Sequence, residues 1–196
     1  MTRLIAGRAG GRRLDVPPSG TRPTSDRVRE ALFSALDHDP GLDGIAVLDV
    51  CAGSGALGLE ALSRGAVDAG FVESDRRAAG VLRRNVSAVG LGGTVLAGKA
   101  GAVLARPAPR VYDVVLVDPP YAVADTEIAG WLVTAARNGW LAPDAVVVVE
   151  RPRSSGGFGW PAGFEAGRER RYGDTVLHTA HRLPTAPSAG ACHPAT

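Results

Sequence analysis

From residue 45 to residue 149 the chain alternates between short apolar runs and segments with helical spacing, and this alternation constrains the fold more than any other feature. The apolar runs have the length of buried strands, and the segments between them place apolar side chains on one helix face. Strands separated by helices form a mostly parallel sheet with right-handed crossovers. The sequence therefore predicts an α/β fold with strands at residues 45–50, 67–72, 94–97, 112–117 and 145–149 and helices at residues 57–64, 75–89 and 125–137.

The segments outside this alternation have a different character. Residues 2–15 predict a short hairpin with glycines at its turn, and a helix capped by Ser25 or Thr24 follows it. Residues 165–172 and 175–182 predict a second hairpin at the edge of the sheet. We expect three regions, which are an N-terminal extension over residues 1–40, a main domain over residues 41–183 and a disordered tail over residues 184–196.

The composition favours a single intracellular domain. The chain has 196 residues, enough for one good-sized domain, and no apolar run approaches the length of a membrane span. The N terminus lacks an apolar signal core, and Cys51 and Cys192 lie too far apart in sequence to indicate a disulfide framework or a metal site. The histidines show no ligand spacing either. We expect a cytoplasmic monomer that binds neither metal nor membrane.

Positive charge is concentrated near the N terminus. The whole chain has a formal net charge of +2. Residues 1–30 contain seven arginines against Asp15, Asp26 and Glu30, which gives +4 for this segment and leaves −2 for the remainder. Such a segment suits phosphate binding, although a solvated arm has the same composition. The arginines that we expect to contact a nucleic acid are Arg3, Arg8, Arg12, Arg13, Arg22 and Arg27.

The turn between the first strand of the alternation and its helix is rich in glycine. Gly53, Gly55 and Gly58 match the spacing G-x-G-x-x-G, in which glycine lets the backbone approach a nucleotide closely. Glu73 follows Gly53 by twenty residues and lies at the end of the second strand, where an acidic residue binds ribose hydroxyls. This pattern predicts a cofactor that contains adenosine. By itself it is equally compatible with NAD.

Asp49 favours S-adenosylmethionine over NAD. It precedes Gly53 by four residues, where an NAD site holds pyrophosphate, and a carboxylate there would repel that group. The ammonium group of a methionine moiety suits this carboxylate instead. The residues of the turn and of the second strand's end that we expect to contact the cofactor are Asp49, Cys51, Ala52, Gly53, Ser54, Gly55, Glu73 and Ser74.

The motif Asp118-Pro119-Pro120-Tyr121 has no role in hydride transfer but suits methyl transfer to an exocyclic amine. Its prolines end the strand before it, and ligands of open α/β sheets bind beyond that end. Hydrogen bonds from the amine to the Asp118 carboxylate and the Pro119 carbonyl would raise the electron density on nitrogen and aim it at the methyl group. Tyr121 would stack on the extruded base. All four motif residues are therefore predicted to be catalytic.

Three segments together resemble one known family. They are residues 22–30 (RPTSDRVRE), residues 49–64 (DVCAGSGALGLEALSR) and residues 118–121 (DPPY). In order and spacing they are similar to the signatures of the bacterial 16S ribosomal RNA guanine-N2 methyltransferases of the small-subunit methyltransferase D family. The resemblance covers residues 3–183. Its match over residues 48–64 is specific, whereas the DPPY motif is shared with adenine-N6 and other amino methyltransferases.

The resemblance implies a class I methyltransferase with a Rossmann-like, seven-stranded sheet whose last strand is antiparallel. It implies methyl transfer from S-adenosylmethionine to N2 of one guanine of 16S ribosomal RNA, in the small subunit or an assembly intermediate. The N-terminal hairpin and residues 22–29, which include Thr24, would contact the RNA. Family members often have an acidic or amide-rich turn near the adenine, where this chain has residues 98–101 (GKAG). The resemblance therefore adds Lys99 and Ala100 to the expected cofactor contacts. By position, the methionine end would contact Asp49, Gly53 and Gly55, the ribose Glu73, and the guanine Asp118, Pro119 and Tyr121.

Three alternatives stay open on the sequence alone. An adenine-N6 methyltransferase acting on DNA or RNA is the nearest, although such enzymes usually have Asn where this chain has Asp118. DNA enzymes also often carry a recognition insert, for which this chain has no room. A non-catalytic RNA-binding assembly factor that keeps a cofactor fold would share the same motifs. An NAD dehydrogenase is the third alternative.

Overall fold

The structure is a computed structural model, and it describes residues 2–17 and 25–184. Several predictions from the sequence lie outside these residues. They are the RNA contacts Arg22 and Thr24, the role of Thr24 as a helix cap, the first part of the signature at residues 22–30, and the tail beyond residue 184.

The described chain begins with a small hairpin. Strands β1 (Thr2–Arg3) and β2 (Arg13–Leu14) pair antiparallel, as the sequence predicts. The strands are shorter than their apolar pattern indicates. The amides of Ile5 and Ala6 donate to the Glu60 carboxylate, at 2.7 and 3.1 Å, rather than to the opposite strand.

Five α-helices follow in the part of the chain that the structure describes. The first helix starts after the predicted cap Ser25, whose hydroxyl accepts a hydrogen bond from the Val28 amide at 3.3 Å. No helix in this part is long and apolar enough to cross a membrane. The fourth helix was not predicted because a segment of five residues is too short to show helical periodicity. The helices are α1 (Asp26–His38), α2 (Ala56–Arg64), α3 (Arg76–Val89), α4 (Ala100–Leu104) and α5 (Asp125–Arg137).

Seven strands form the central sheet. They are β3 (Ala46–Val50), β4 (Asp68–Glu73), β5 (Thr94–Ala97), β6 (Tyr112–Val117), β7 (Leu141–Pro152), β8 (Phe164–Tyr172) and β9 (Thr175–Arg182). Their order is β5-β4-β3-β6-β7-β9-β8. Strands β3 to β7 are parallel, and β9 lies antiparallel between β7 and β8. This topology confirms the predicted Rossmann-like fold, including the hairpin at the sheet edge.

Each face of the sheet carries its own apolar layer. Helices α1, α2 and α3 pack on one face, and α4 and α5 pack on the other. Leu4 and Leu14 of the N-terminal hairpin are buried in the first layer, together with Phe33 and Phe71. The hairpin therefore shares the core of the main domain and lies on the same side of the sheet as α1.

Two buried polar side chains of α2 hold this hairpin in place. Glu60 accepts the two backbone hydrogen bonds described above, and Ser63 accepts another from the Ala9 amide at 2.9 Å. The Ser63 hydroxyl also donates to the carbonyl oxygen of Ala6. A buried carboxylate is costly unless it is hydrogen-bonded, so these contacts both satisfy Glu60 and fix the hairpin on α2.

Candidate active site

The glycine-rich turn joins β3 to α2 at the carboxyl end of the sheet. Gly53 and Gly55 have φ values of 55° and 80°, in the left-handed region that favours glycine. A Cβ atom on Gly55 would lie 2.4 Å from Leu82 Cδ1, and one on Gly58 would lie 2.4 Å from Phe71 Cε1. The first two glycines thus shape the turn, and the third lets α2 pack closely on the sheet.

Asp49 is buried beneath this turn with one carboxylate oxygen unused. Its Oδ2 accepts a hydrogen bond from the Gly58 amide at 2.9 Å, whereas its buried Oδ1 accepts none from any described residue. Burial raises the pKa of Asp49 to about 7 against the lowering effect of the Gly58 amide, and the charges of Asp118 and Glu73 raise it further. An unpaired carboxylate near two others makes this a site for a cationic group.

Glu73 organises the neighbouring backbone. Its Oε2 accepts from the Gly53 amide at 2.8 Å, and its Oε1 accepts from the Asp75 amide at 2.7 Å. Its own carbonyl accepts from the Gly98 amide at 2.9 Å, which ties the turn after β5 to the same strand end. Each carboxylate oxygen can accept a second hydrogen bond, so the predicted ribose contact stays a prediction.

Asp118 follows β6 and lies beside the glycine-rich turn. Its amide donates to the Val50 carbonyl at 3.2 Å, which joins the start of the motif to the end of β3. Its carboxylate is close enough to Asp49 and Cys51 for its charge to raise the pKa of both groups. The structure therefore brings the predicted catalytic acid and the predicted cofactor acid together.

The rest of the motif forms a turn that is fixed from two sides. The Pro120 carbonyl accepts from the Val123 amide at 2.9 Å, and the Val123 carbonyl accepts from Arg151 Nη2 at 2.8 Å. Arg151 is buried at the end of β7, and its Nε lies 2.8 Å from Asp125 Oδ1. Tyr121 lies between Pro120 and Val123, whose backbone groups form these hydrogen bonds, and it is 48% exposed. The backbone of the turn is thus held while the Tyr121 ring stays accessible to a planar partner.

The other predicted cofactor residues lie along the same edge. Cys51 has a φ of 65°, and burial, with the charges of Glu73, Asp118 and Asp49, raises its pKa to about 12. A raised pKa keeps this thiol protonated at neutral pH, which disfavours a nucleophilic role. The described residues contain no group of three or more His, Cys, Asp or Glu placed to hold a metal ion. Ala52 and Ala100 are buried, Pro119 is buried within the motif, Ser54 is half-buried, and Ser74 and Lys99 are exposed.

Asn85 is a residue of the site that the sequence analysis missed. It lies buried on the apolar face of α3, where its Oδ1 accepts from the Asp15 amide at 2.9 Å. Its Nδ2 donates to the carbonyls of Asp15 and Ser54, at 2.9 and 2.8 Å. It therefore joins the N-terminal extension to the glycine-rich turn. A polar residue in register with the apolar Leu82 and Val89 was the signal in the sequence.

The predicted RNA-contacting arginines within the described residues fall into two groups. Arg3, Arg13 and Arg27 are exposed. Arg8 and Arg12 are exposed as well, but each also donates to carbonyls at the end of a helix. Arg8 bonds to the Leu62 carbonyl at 3.1 Å, and Arg12 bonds to those of Ala88 and Val89 at 2.6 and 3.0 Å.

Arg29 does not belong to the basic surface that the charge count indicates. It is fully buried, donates to Thr2 Oγ1 at 3.0 Å and to the Arg3 carbonyl, and pairs with Asp26 at 2.9 Å. Its role is to anchor the first strand to α1. The exposed positive charge of this segment is therefore smaller than the sequence indicates.

Comparisons with known proteins agree with this geometry. A sequence profile of the family described as "conserved hypothetical protein 95" matches residues 2–181. The chain is 39% identical over 182 residues to ribosomal RNA small subunit methyltransferase D of Escherichia coli K12, which covers 92% of this chain and 89% of that protein. It is 39% identical over 153 residues to the protein of the same name from Haemophilus influenzae, covering 76% of this chain and 77% of that protein.

A solved structure described as "putative methyltransferase yhhF" from Escherichia coli superposes with a TM-score of 0.81. It is 36% identical to this chain, and the match covers 92% of this chain and 97% of that one. The comparisons confirm the resemblance drawn from the three sequence segments. The chain belongs to the conserved hypothetical protein 95 family and is a relative of the ribosomal RNA small subunit methyltransferases D, and it is an enzyme of the methyltransferase class.

Proposed function

We propose that this enzyme transfers a methyl group from S-adenosylmethionine to the exocyclic N2 of a guanine in 16S ribosomal RNA. One observation carries the proposal. Asp49, with its unpartnered Oδ1, and the Asp118-Pro119-Pro120-Tyr121 turn lie on adjacent strand ends at one edge of the sheet. The names of the relatives, ribosomal RNA small subunit methyltransferase D, support the choice of substrate.

The cofactor site suits S-adenosylmethionine because of its charge. The Asp49 carboxylate would hold the ammonium group, the backbone at Gly53 and Gly55 would approach the methionine end, and Glu73 would hold the ribose. Lys99 and Ala100, where α4 begins, would lie near the adenine. When bound, the cofactor supplies an electrophilic methyl group on a positively charged sulfur.

The motif turn would hold the target amine. The Asp118 carboxylate and the Pro119 carbonyl accept hydrogen bonds from the two N–H groups, which raises electron density on the nitrogen and orients it. Tyr121 stacks on the extruded base. Arg151 would hold the motif turn in position, because it donates to the Val123 carbonyl and pairs with Asp125.

The product identifies the function. Purified enzyme is incubated with tritium-labelled methyl donor and, in separate reactions, with unmodified 16S RNA, small subunits or DNA, and the nucleosides are then separated. We expect N2-methylguanosine from RNA or subunits. Methyladenosine as the sole product would make the enzyme an adenine-N6 methyltransferase. RNA binding without cofactor binding or methyl transfer would favour an assembly factor.

The N-terminal extension supplies RNA contacts in this proposal, through the exposed Arg3, Arg13 and Arg27. Arg8 and Arg12 contribute their charge while they fix the extension to α2 and α3. The substrate is the RNA within the small subunit or an assembly intermediate, and the enzyme works as a monomer in the cytoplasm, where ribosomes are assembled.

Because of Asp49, we expect the stability of the protein and its affinity for the cofactor to change with pH in opposite directions. Its pKa is about 7 in the folded protein, against 3.8 for an ordinary aspartate, so between these values the folded state binds more protons than the unfolded state. The free energy of unfolding without cofactor therefore falls as the pH rises through this window. Affinity for the ammonium group rises over the same window, by at most about tenfold per pH unit, because it requires the ionised carboxylate.

Urea unfolding and calorimetric titration with S-adenosylmethionine between pH 5 and 8 measure the two trends. In Asp49→Asn this contribution to the stability trend disappears, and cofactor binding becomes weaker and nearly independent of pH. A cofactor affinity that falls with rising pH in the wild type would contradict the assignment of Asp49 to the ammonium group.

A further inference from the structure

The sheet register places an arginine of the edge strand level with the catalytic acid. Asp118, which follows β6, lies level with Glu150 of β7. Glu150 pairs with Leu177 of β9, and Leu177 pairs with Arg170 of β8. Neighbouring strands lie about 4.8 Å apart, so three steps put the backbone of Arg170 about 14 Å from that of Asp118.

Arg170 lines a groove between α1 and the β8–β9 hairpin. The groove has a volume of about 760 Å³. Its floor is formed by Val146, Val148 and Leu177, which belong to the apolar layer under α1. The groove therefore opens on the side of the sheet that also carries the N-terminal hairpin. Its polar lining consists of Ser34, His38, Asp39, Arg168, Arg170, Thr179 and His181.

The charge of this lining is positive. Among the lining residues, Arg168 and Arg170 are balanced by one acidic residue, Asp39. Neither arginine forms an ion pair with a described residue, whereas the next residue, Arg171, lies 2.8 Å from Glu169. Arg171 does not line the groove, because successive side chains of a strand point to opposite faces. Within the described part of the chain, the strand thus presents two arginines without an ion pair to the groove and a paired arginine to the other side.

We propose that Arg168 and Arg170 bind the phosphate backbone of the RNA strand that flanks the target nucleotide. The proposal rests on the function proposed above and adds a second RNA surface. The N-terminal hairpin is held on α2, on one side of α1, whereas the groove lies on the other side of α1. Such contacts carry no sequence information, but they fix the position of the RNA on the enzyme. RNA on this groove would lead directly to the edge of the sheet where Asp118 and Tyr121 lie.

The test compares Arg168→Ala and Arg170→Ala with the matched control Arg171→Ala. Each variant removes one arginine from the same strand and changes the net charge equally. Filter binding to unmodified 16S RNA is measured over a series of salt concentrations. We expect Arg170→Ala and Arg168→Ala to weaken binding five- to tenfold, and the slope of log affinity against log salt to become shallower by about 0.7 for each lost phosphate contact. Arg171→Ala stays within twofold of the wild type.

Further measurements make each outcome decisive. Equal losses of RNA affinity in Arg170→Ala and Arg171→Ala would mean that only the net charge matters, which would overturn the proposal. Unchanged RNA affinity in both Arg168→Ala and Arg170→Ala would overturn it as well. A change in self-association instead of RNA affinity, seen by sedimentation, would assign the groove to a second copy of the chain. Arg170→Lys keeps the charge and is expected to retain most of the affinity, and thermal unfolding checks that each variant is folded.

The same preparations separate this inference from the proposed function. Wild-type methyl transfer to 16S RNA together with normal RNA binding by Arg168→Ala and Arg170→Ala would refute the groove alone. A wild-type enzyme that neither binds nor methylates this RNA or the small subunit would refute both.

Discussion

Asp118→Ala is expected to lower the rate of methyl transfer about a thousandfold, the loss typical of removing one electrostatic contact to a reacting group. In the proposed mechanism the variant loses the acceptor that would orient the amine and raise its electron density, whereas the Pro119 carbonyl would remain. The variant keeps the Asp118 backbone amide, which bonds to the Val50 carbonyl at 3.2 Å and joins the motif to the end of β3. The loss should therefore appear in the single-turnover rate at saturating RNA.

Cofactor affinity distinguishes this effect from general damage to the site. The Asp118 charge raises the pKa of Asp49, so its removal moves that pKa downward and leaves more of the Asp49 carboxylate ionised below pH 7. We expect Asp118→Ala to bind S-adenosylmethionine at least as tightly as the wild type at pH 6. Calorimetric titration at pH 6 and pH 8 measures this.

Asp118→Asn is the conservative comparison. Its amide oxygen still accepts a hydrogen bond, but it carries no charge, so we expect a rate between those of the wild type and Asp118→Ala. A wild-type rate in Asp118→Ala, with normal RNA and cofactor affinity, would remove Asp118 from the chemistry and leave the cluster of acids as a cofactor feature only.

The local sequence pattern predicted correctly the bounds of those strands and helices that end at clear breaking residues such as proline and glycine. The bounds of β5, β6, α5 and β9 agree with the prediction at both ends. The prolines at residues 119 and 120 end β6, and Gly173 and Asp174 separate β8 from β9, so the chain itself marks these limits. By contrast, β7 runs beyond its apolar residues, because Glu150 to Pro152 continue the pairing with β9.

Contacts between distant parts of the chain could not be predicted in this way. Glu60 looks like a solvated helix residue in the sequence, yet it is fully buried and holds amides more than fifty residues away. Asn85 bonds to Asp15 across seventy residues. The candidate site was predictable where its residues are contiguous, in the glycine-rich turn and the DPPY motif. Its supporting residues, Asn85 and Arg151, depend on tertiary packing, which no local pattern encodes.

The hairpin contact with α2 leads to the second large expected effect, that of Gly7→Ala. A Cβ atom on Gly7 would lie 1.9 Å from the Ser63 carbonyl oxygen and 2.3 Å from its carbon. These are backbone atoms of a helix and cannot rotate away. Gly7 also has a φ of +78°, which disfavours a side chain. We expect overpacking and strain together to lower the free energy of unfolding by about 4 kcal/mol, or to detach the hairpin from α2.

Gly11→Ala is the matched control, because Gly11 has nearly the same φ of +81° but nothing within 4 Å of its Cβ position. It should cost about 1–2 kcal/mol, from backbone strain alone. Urea unfolding compares the two variants, and trypsin cleavage after Arg12 or Arg13 reports detachment, since Arg12 is bonded to α3 carbonyls when the hairpin is docked. Equal stability and equal cleavage in both variants would show that the hairpin does not depend on its contact with α2. If the hairpin holds RNA, Gly7→Ala also loses RNA affinity while cofactor binding persists.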